Sequence, residues 1–165
     1  MLNTVLDILL FIVKMAKRYP KPKLFRPKNP HKYVGDLEQI TSRSSWETRF
    51  MDWCDRNPSV IRWNSEGLII PYFSQADGKQ RRYYVDFVLE IRSNDGDIKK
   101  LLVEIKPHAQ TQPPKTTRKT KRFMEELYTY QVNMDKWKHA TDWAEKNGFD
   151  FKVLTEHDLG IAKRR

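Results

Sequence analysis

The longest periodic stretch of the chain lies near its C-terminal end. There Phe123, Leu127, Tyr130, Met134, Trp137, Thr141 and Ala144 recur at alternating spacings of four and three. That is the period of an amphipathic helix, predicted over about 116–147 with Gly148 as its stop. A second helix is predicted at about 44–56. Ser44 can cap it, Glu47 falls at its third position, and Trp46, Phe50 and Trp53 follow at helical spacing until Asn57-Pro58. Between the two, the pattern is extended. Val60–Trp63, Gly67–Phe73, Arg81–Ile91 and Ile98–Lys106 read as strands, with turns at Asp77-Gly78 and Asp95-Gly96. This turn chemistry predicts a β-meander, closed by Pro107 and followed by a polar loop at Pro113-Pro114. Phe149–Leu154 reads as a buried strand, and Thr155-Glu156-His157-Asp158 as the start of a short last helix. The fold class expected is α/β, a mixed β-sheet (β-meander plus a C-terminal strand) flanked by helices.

The N-terminal stretch follows a different rule. Met1–Val13 is apolar apart from polar Asn3 and Thr4 and acidic Asp7, and no basic residue precedes it. It is shorter than the ~20 apolar residues a bilayer-spanning helix takes, and it lacks a secretory signal's charged start and cleavage site. No stable membrane insertion is expected. An amphipathic helix against the body or a partner, an interfacial anchor beside Lys14–Arg18, and an extension upstream of a start at Met15 all fit. Four prolines between Tyr19 and Pro30 favour an extended arm, so the chain divides into an apolar segment and basic Pro-rich arm over 1–35 and a single domain over 36–165. The lone Cys54 excludes an internal disulfide framework or a Cys-rich zinc motif and points to a reducing compartment.

Charge changes the picture through its distribution. The chain carries a formal net charge of +10, yet eight Lys/Arg and no acid fall between Lys14 and Lys32, and eight more with the single acid Glu104 between Lys99 and Arg122. Two basic segments flank a mildly acidic body, the footprint of a polyanionic partner.

The chemistry concentrates on two strands. Asp86 interrupts the apolar run Tyr83–Leu89, and Glu104 interrupts Leu101–Ile105, eighteen residues on and followed by Lys106. Alternation puts Glu104 and Lys106 on one strand face, and antiparallel neighbours joined at Asp95-Gly96 bring Asp86 beside Glu104. Two carboxylates and an ammonium at a sheet edge suit a hard divalent cation and phosphodiester hydrolysis. The competing reading is a solvated cross-strand ion pair, against which stands the cost of unpaired charge in buried runs. Glu47 reads equally as a capping-box glutamate and as a further acid of the site. His108 reads as a solvated loop histidine, the five tryptophans as core, and Cys54 as having no partner for nucleophilic catalysis. The absence of a Gly-rich phosphate loop argues against an ATPase.

The runs Ser45-Trp46-Glu47-Thr48-Arg49-Phe50, Asn57-Pro58-Ser59-Val60, Ile70-Pro71-Tyr72, Arg82-Tyr83-Tyr84-Val85-Asp86-Phe87 and Val103-Glu104-Ile105-Lys106-Pro107 resemble the TnsA-like branch of the PD-(D/E)xK, restriction-endonuclease-like nucleases over about 44–160. Val85 stands where the family has proline. Within that branch, the size, basic arm and lysine-rich loop look most like the head-completion nucleases of T4-type tailed phages. The resemblance implies a restriction-endonuclease-like core and a Mg²⁺-dependent DNA nuclease, with Mn²⁺ as a substitute, acting on packaged double-stranded DNA before heads join tails. It implies Glu47, Asp86, Glu104 and Lys106 as the catalytic set. Asp86, Glu104, Glu47 and the Ile105 carbonyl would hold metal, and Lys115, Arg118, Lys119, Lys121 and Arg122 would grip phosphates. Portal or neck proteins are the expected partners, and the host cytoplasm, with virion association, the expected location. The alternative is a non-catalytic, basic DNA- or portal-binding structural protein of virion assembly with an inert acid cluster.

Overall fold

The computed structural model describes residues 21–115 and 118–161. The apolar N-terminal run lies outside the described residues. A four-stranded mixed sheet forms the centre. Strands β3 (Val60–Ser65), β6 (Phe87–Arg92) and β7 (Ile98–Ile105) are antiparallel neighbours, and β8 (Asp150–Leu154) adds to β7 in parallel. Helix α1 (Ser45–Arg56) covers one face, where Phe50, Met51 and Cys54 pack with Val60, Trp63, Phe87, Leu89, Val103 and Ile105. The opposite face is covered by a separate hairpin of β4 (Ile69–Ser74) and β5 (Lys79–Tyr84) and by helix α2 (Lys121–Asn147). Leu102 meets Ile70, Tyr72, Tyr83, Val85, Ala140 and Ala144 there. The two-residue period of β7 produces this division, with Val103 and Ile105 toward α1 and Leu102 and Glu104 toward the hairpin and α2. In β3 a register shift between Val60 and Arg62 lets Val60 and Trp63, three apart, share the α1 face.

The mixed α/β class is as the sequence predicts, but the meander is not. β3 pairs with β6 because β4 and β5 leave the central sheet as their own hairpin. The single strand expected over Arg81–Ile91 is accordingly two, broken at Val85-Asp86. Backbone bonds from Val85 N–H to the Leu68 carbonyl (3.0 Å) and from Glu66 N–H to the Asp86 carbonyl (3.1 Å) hold the step between sheets. The predicted last helix is a turn over 156–160. Asp158 Oδ2 accepts both the Thr155 N–H (2.7 Å) and its hydroxyl (2.9 Å), and Gly160, at φ 62°, turns the chain out of helical geometry.

Both helices end as their punctuation dictates. Ser44 caps α1, and Gly148 closes α2 in the left-handed conformation at φ 72°, ψ 33°. The start of α2 is set by Thr120, whose Oγ1 accepts the Phe123 N–H at 3.2 Å. Of the apolar stripe expected from spacing, Ala144 is buried, Phe123, Tyr130, Met134 and Trp137 are half-buried, and Leu127 and Thr141 are exposed, while Asn133, Asp135 and Ala140 complete the buried side of α2 outside it. The tryptophans are not uniformly core either: Trp63 is buried, whereas Trp53 is exposed and stacks on Phe50.

The described part of the basic arm departs furthest from expectation. In place of an extended arm up to Asp36, β1 (Lys23–Leu24) pairs with β2 (Thr41–Ser42), and Phe25 and Tyr33 pack edge-on against Trp63. Lys32 is buried. Its ammonium donates to the carbonyls of Cys54 (2.9 Å), Asp55 (2.8 Å) and Asn57 (2.7 Å) at the C-terminus of α1. Buried Asp55 answers by accepting the backbone N–H of Lys28 (2.8 Å) and Asn29 (3.0 Å). A cation on the negative end of the helix and a carboxylate on two chain amides hold the strap in place.

Candidate active site

Asp86 sits where the chain steps from the hairpin into β6. The antiparallel register pairs Phe87 with Val103, and one further residue sets Asp86 across from Glu104. Asp86 Oδ2 accepts the Ile105 N–H at 2.8 Å, taking the amide at the point where the β6–β7 ladder stops. Its Oδ1 has no protein hydrogen bond among the described residues. Glu104 is buried on the hairpin side of β7. Its Oε2 accepts the Tyr83 hydroxyl at 2.7 Å, and its Oε1 pairs with Lys106 Nζ at 2.9 Å. Lys106 is fixed in turn by its own N–H, which extends the parallel ladder to the Leu154 carbonyl at 3.0 Å. From α2, the Lys136 ammonium lies over the Tyr83 ring, 5.4 Å from its centroid.

Burial, and then the neighbouring Glu104 charge, push the Asp86 carboxyl well above the usual carboxylate range, with Lys106 and the Ile105 amide opposing. Burial works against the Lys106 ammonium, but Glu104 and Asp86 outweigh it and hold Lys106 above its ordinary value. Burial also raises the Tyr83 phenol, reinforced by the Glu104 charge, so Tyr83 stays a donor. Lys136 is lowered by burial despite Glu104. The cluster is therefore rich in buried negative charge.

The structure brings Asp86, Glu104 and Lys106 together and turns Glu47 elsewhere. Glu47 Oε2 accepts the Arg43 N–H (2.8 Å), its Oε1 accepts the Ser44 hydroxyl (3.0 Å), and Ser44 Oγ accepts the Glu47 N–H (3.1 Å), a capping arrangement in which the glutamate takes the amide one residue before the cap. The Glu47 charge still bears on Asp86 and Lys106. Among the described residues no three His, Cys, Asp or Glu side chains form a metal-holding group. The acids of the cluster are a pair, and hard carboxylate oxygens with a free Asp86 Oδ1 fit a divalent cation that keeps several waters. Tyr83 and Lys136 were not foreseen. Strand alternation buries Tyr83, but nothing local says what its hydroxyl meets.

The basic loop lies beside this cluster along the chain. Lys115 and Arg122 line a cleft of about 1040 Å³ between the turn at His108–Gln110 and the first half of α2, while Arg118, Lys119 and Lys121 are exposed and Arg122 pairs with Glu126 at 2.8 Å. His108 is exposed, as a solvated loop histidine is expected to be, and its backbone is tied down. Its N–H donates to Glu156 Oε2 (2.8 Å) and its ring meets His157 edge-on, 5.1 Å between centroids. Cys54 is buried and its thiol pushed up by burial, which suits packing and not nucleophilic attack.

A mixed sheet carrying an aspartate, then Glu-x-Lys on the neighbouring strand, between a capped helix and a long second helix, defines a restriction-endonuclease-like nuclease architecture. The chain belongs to the TnsA-like endonuclease family: the family's description, TnsA-like endonuclease N terminal, matches residues 57–156. That span contains Asp86, Glu104 and Lys106 and leaves out Glu47. The chain is similar to the head completion nuclease of Enterobacteria phage T4, at 49% identity over 138 residues that cover 81% of this chain and 89% of that protein.

Proposed function

We propose that this protein is a Mg²⁺-dependent DNA nuclease, with Mn²⁺ as a substitute, that processes packaged DNA before phage heads join tails. The observation that carries the hydrolytic reading is half-buried Asp86 beside buried Glu104, with Lys106 paired to Glu104. The assembly role rests on the named relative, and with it go portal or neck proteins as partners and a place in the host cytoplasm and on the virion. The catalytic domain is 36–165 together with the strap over 21–35, which pairs with β2 and packs on Trp63 and the end of α1.

In this reading Asp86 and Glu104 hold the divalent ion, with the Ile105 carbonyl as an added ligand. When bound, the ion supplies a nucleophilic water and stabilises charge developing on the phosphate. Lys106, held protonated, donates to the attacking water and fixes its direction toward phosphorus. Glu47, busy at the helix start, tunes the field of the pair from a distance. Lys115, Arg118, Lys119, Lys121 and Arg122 hold the phosphates flanking the scissile bond.

The test is incubation of purified protein with linear and circular duplex DNA in Mg²⁺, in Mn²⁺ and in chelator. Cutting in either metal that stops in chelator is the expected result, and cut circles identify endonuclease action. Tight, salt-sensitive binding with no cutting in any metal would instead favour a structural DNA-binding protein. Changing Lys115, Arg118, Lys119 and Lys121 together to alanine is expected to reduce the slope of log affinity against log salt by about 3.6, since each phosphate contact contributes roughly 0.9. An unaltered slope would remove the loop from the interface.

A further inference from the structure

Tyr83 is 2% exposed, and its ring is packed among Ile70, Val85, Leu102 and Ala140. Packing this tight fixes where the hydroxyl points, and it points at Glu104. Glu104 is itself 1% exposed and has only two protein partners among the described residues, Tyr83 on Oε2 and Lys106 on Oε1. The phenol thus decides which oxygen of the carboxylate is spoken for by the hairpin and which is left facing the lysine. A phenylalanine would fill the same core, so packing alone does not call for the hydroxyl. Above the ring, the Lys136 ammonium at 5.4 Å draws electron density from the phenol and strengthens it as a donor. Three elements are linked in one chain of contacts: α2 through Lys136, β5 through Tyr83, and β7 through Glu104.

We propose that Tyr83 is a positioning residue that orients the Glu104 carboxylate for the divalent ion, with Lys136 over its ring reinforcing the bond. This rests on the metal-dependent nuclease reading of the site. Groups that orient metal-binding carboxylates typically contribute roughly ten- to hundredfold in metal affinity.

The test is Mn²⁺ binding by titration calorimetry on the full chain, wild type beside Tyr83→Phe, Tyr84→Phe, Lys136→Met and Lys136→Arg, with melting temperatures and duplex affinity in chelator. Tyr83→Phe is expected to weaken Mn²⁺ binding at least about tenfold and to raise the Mn²⁺ concentration for half-maximal cleavage by the same factor. Duplex affinity in chelator should stay as in wild type. Tyr84, exposed on the outer face of the hairpin, should tolerate the same change with no effect. Lys136→Met should weaken Mn²⁺ binding about two- to fivefold, the lost cation over the ring outweighing the relief of its repulsion of the ion, and Lys136→Arg should restore it. Wild-type Mn²⁺ affinity in Tyr83→Phe overturns the proposal while leaving the nuclease reading intact. If Tyr83→Phe does not fold, wild-type affinity in Lys136→Met overturns it instead. A wild-type protein that binds no Mn²⁺ overturns both readings.

Discussion

Asp86→Asn is expected to lower metal-dependent DNA cleavage by roughly 10²–10³-fold and, at the same time, to raise the melting temperature. On the proposed mechanism the loss follows from removing one of the two carboxylates that would hold the ion. The gain follows from the environment. Burial and the Glu104 charge push Asp86 well above the usual carboxylate range, so its ionised form is disfavoured in the folded chain, and asparagine retains an acceptor for the Ile105 N–H without the charge. Lys106→Met should abolish cleavage to a similar degree with the opposite effect on stability. It strands the buried Glu104 carboxylate with the Tyr83 hydroxyl alone, a loss of about 3 kcal/mol. Glu47→Ala is the contrast. It removes the Glu47 carboxylate's bonds to the Arg43 N–H and the Ser44 hydroxyl at about 1 kcal/mol, keeps the Ser44 cap on the backbone amide of residue 47, and leaves the metal-saturated rate within about tenfold of wild type. Single-turnover rates beside thermal melts separate the three. A destabilised Asp86→Asn would mean that the acids do not repel each other as described, and a Glu47→Ala rate as low as that of Asp86→Asn would make Glu47 a ligand.

The largest effect on stability alone is expected at Lys32. Lys32→Met preserves most of the stem but leaves three carbonyls at the end of α1 without their shared donor, and Asp55 without the nearby positive charge. The Asp55 carbonyl keeps the Asn29 side-chain amide (3.1 Å) and the Asn57 carbonyl keeps the Val60 N–H (3.1 Å), so among the described residues only the Cys54 carbonyl is orphaned. Losing the charged donor at all three costs about 2–3 kcal/mol, on the order of 5–10 °C in melting temperature. The strap over residues 21–42 should become sensitive to protease in the variant while β6 and β7 stay protected. A variant that melts with wild type would show that water replaces the ammonium at no cost.

The features legible in the sequence are those fixed by near neighbours. Ser44 caps α1 and Gly148 ends α2 because capping is decided within a few residues. Asp86 could be placed beside Glu104 because the turn at Asp95-Gly96 sets the register of β6 against β7. What was not legible depends on meetings across the chain. The step at Val85-Asp86 lies inside a run that alternates like one strand, and it is made by backbone bonds from Glu66 and to Leu68. Lys32 belongs to a Pro-rich basic run that reads as solvated, and its burial depends on carbonyls more than twenty residues away. Tyr83 and Tyr84 look alike as neighbours, yet one bonds a catalytic-site carboxylate and the other faces outward. Lys136 sits between Asp135 and Trp137 on a helix whose apolar spacing only partly coincides with the side that packs.

The parallel pairing of β7 with β8 has a consequence for the order in which the protein becomes competent during its synthesis. Glu104 lies on β7, whose outer neighbour, Asp150–Leu154, follows the whole of α2. While the ribosome is still making that helix, β7 has a bare edge of N–H and C=O groups, and Lys106 lacks the Leu154 carbonyl that anchors its backbone. Both acids are translated before α2, but the strand that holds one of them gains its outer neighbour only after that helix is made. A nascent chain would therefore present an aggregation-prone edge before it presents a working site, and cutting begins only once the domain is whole.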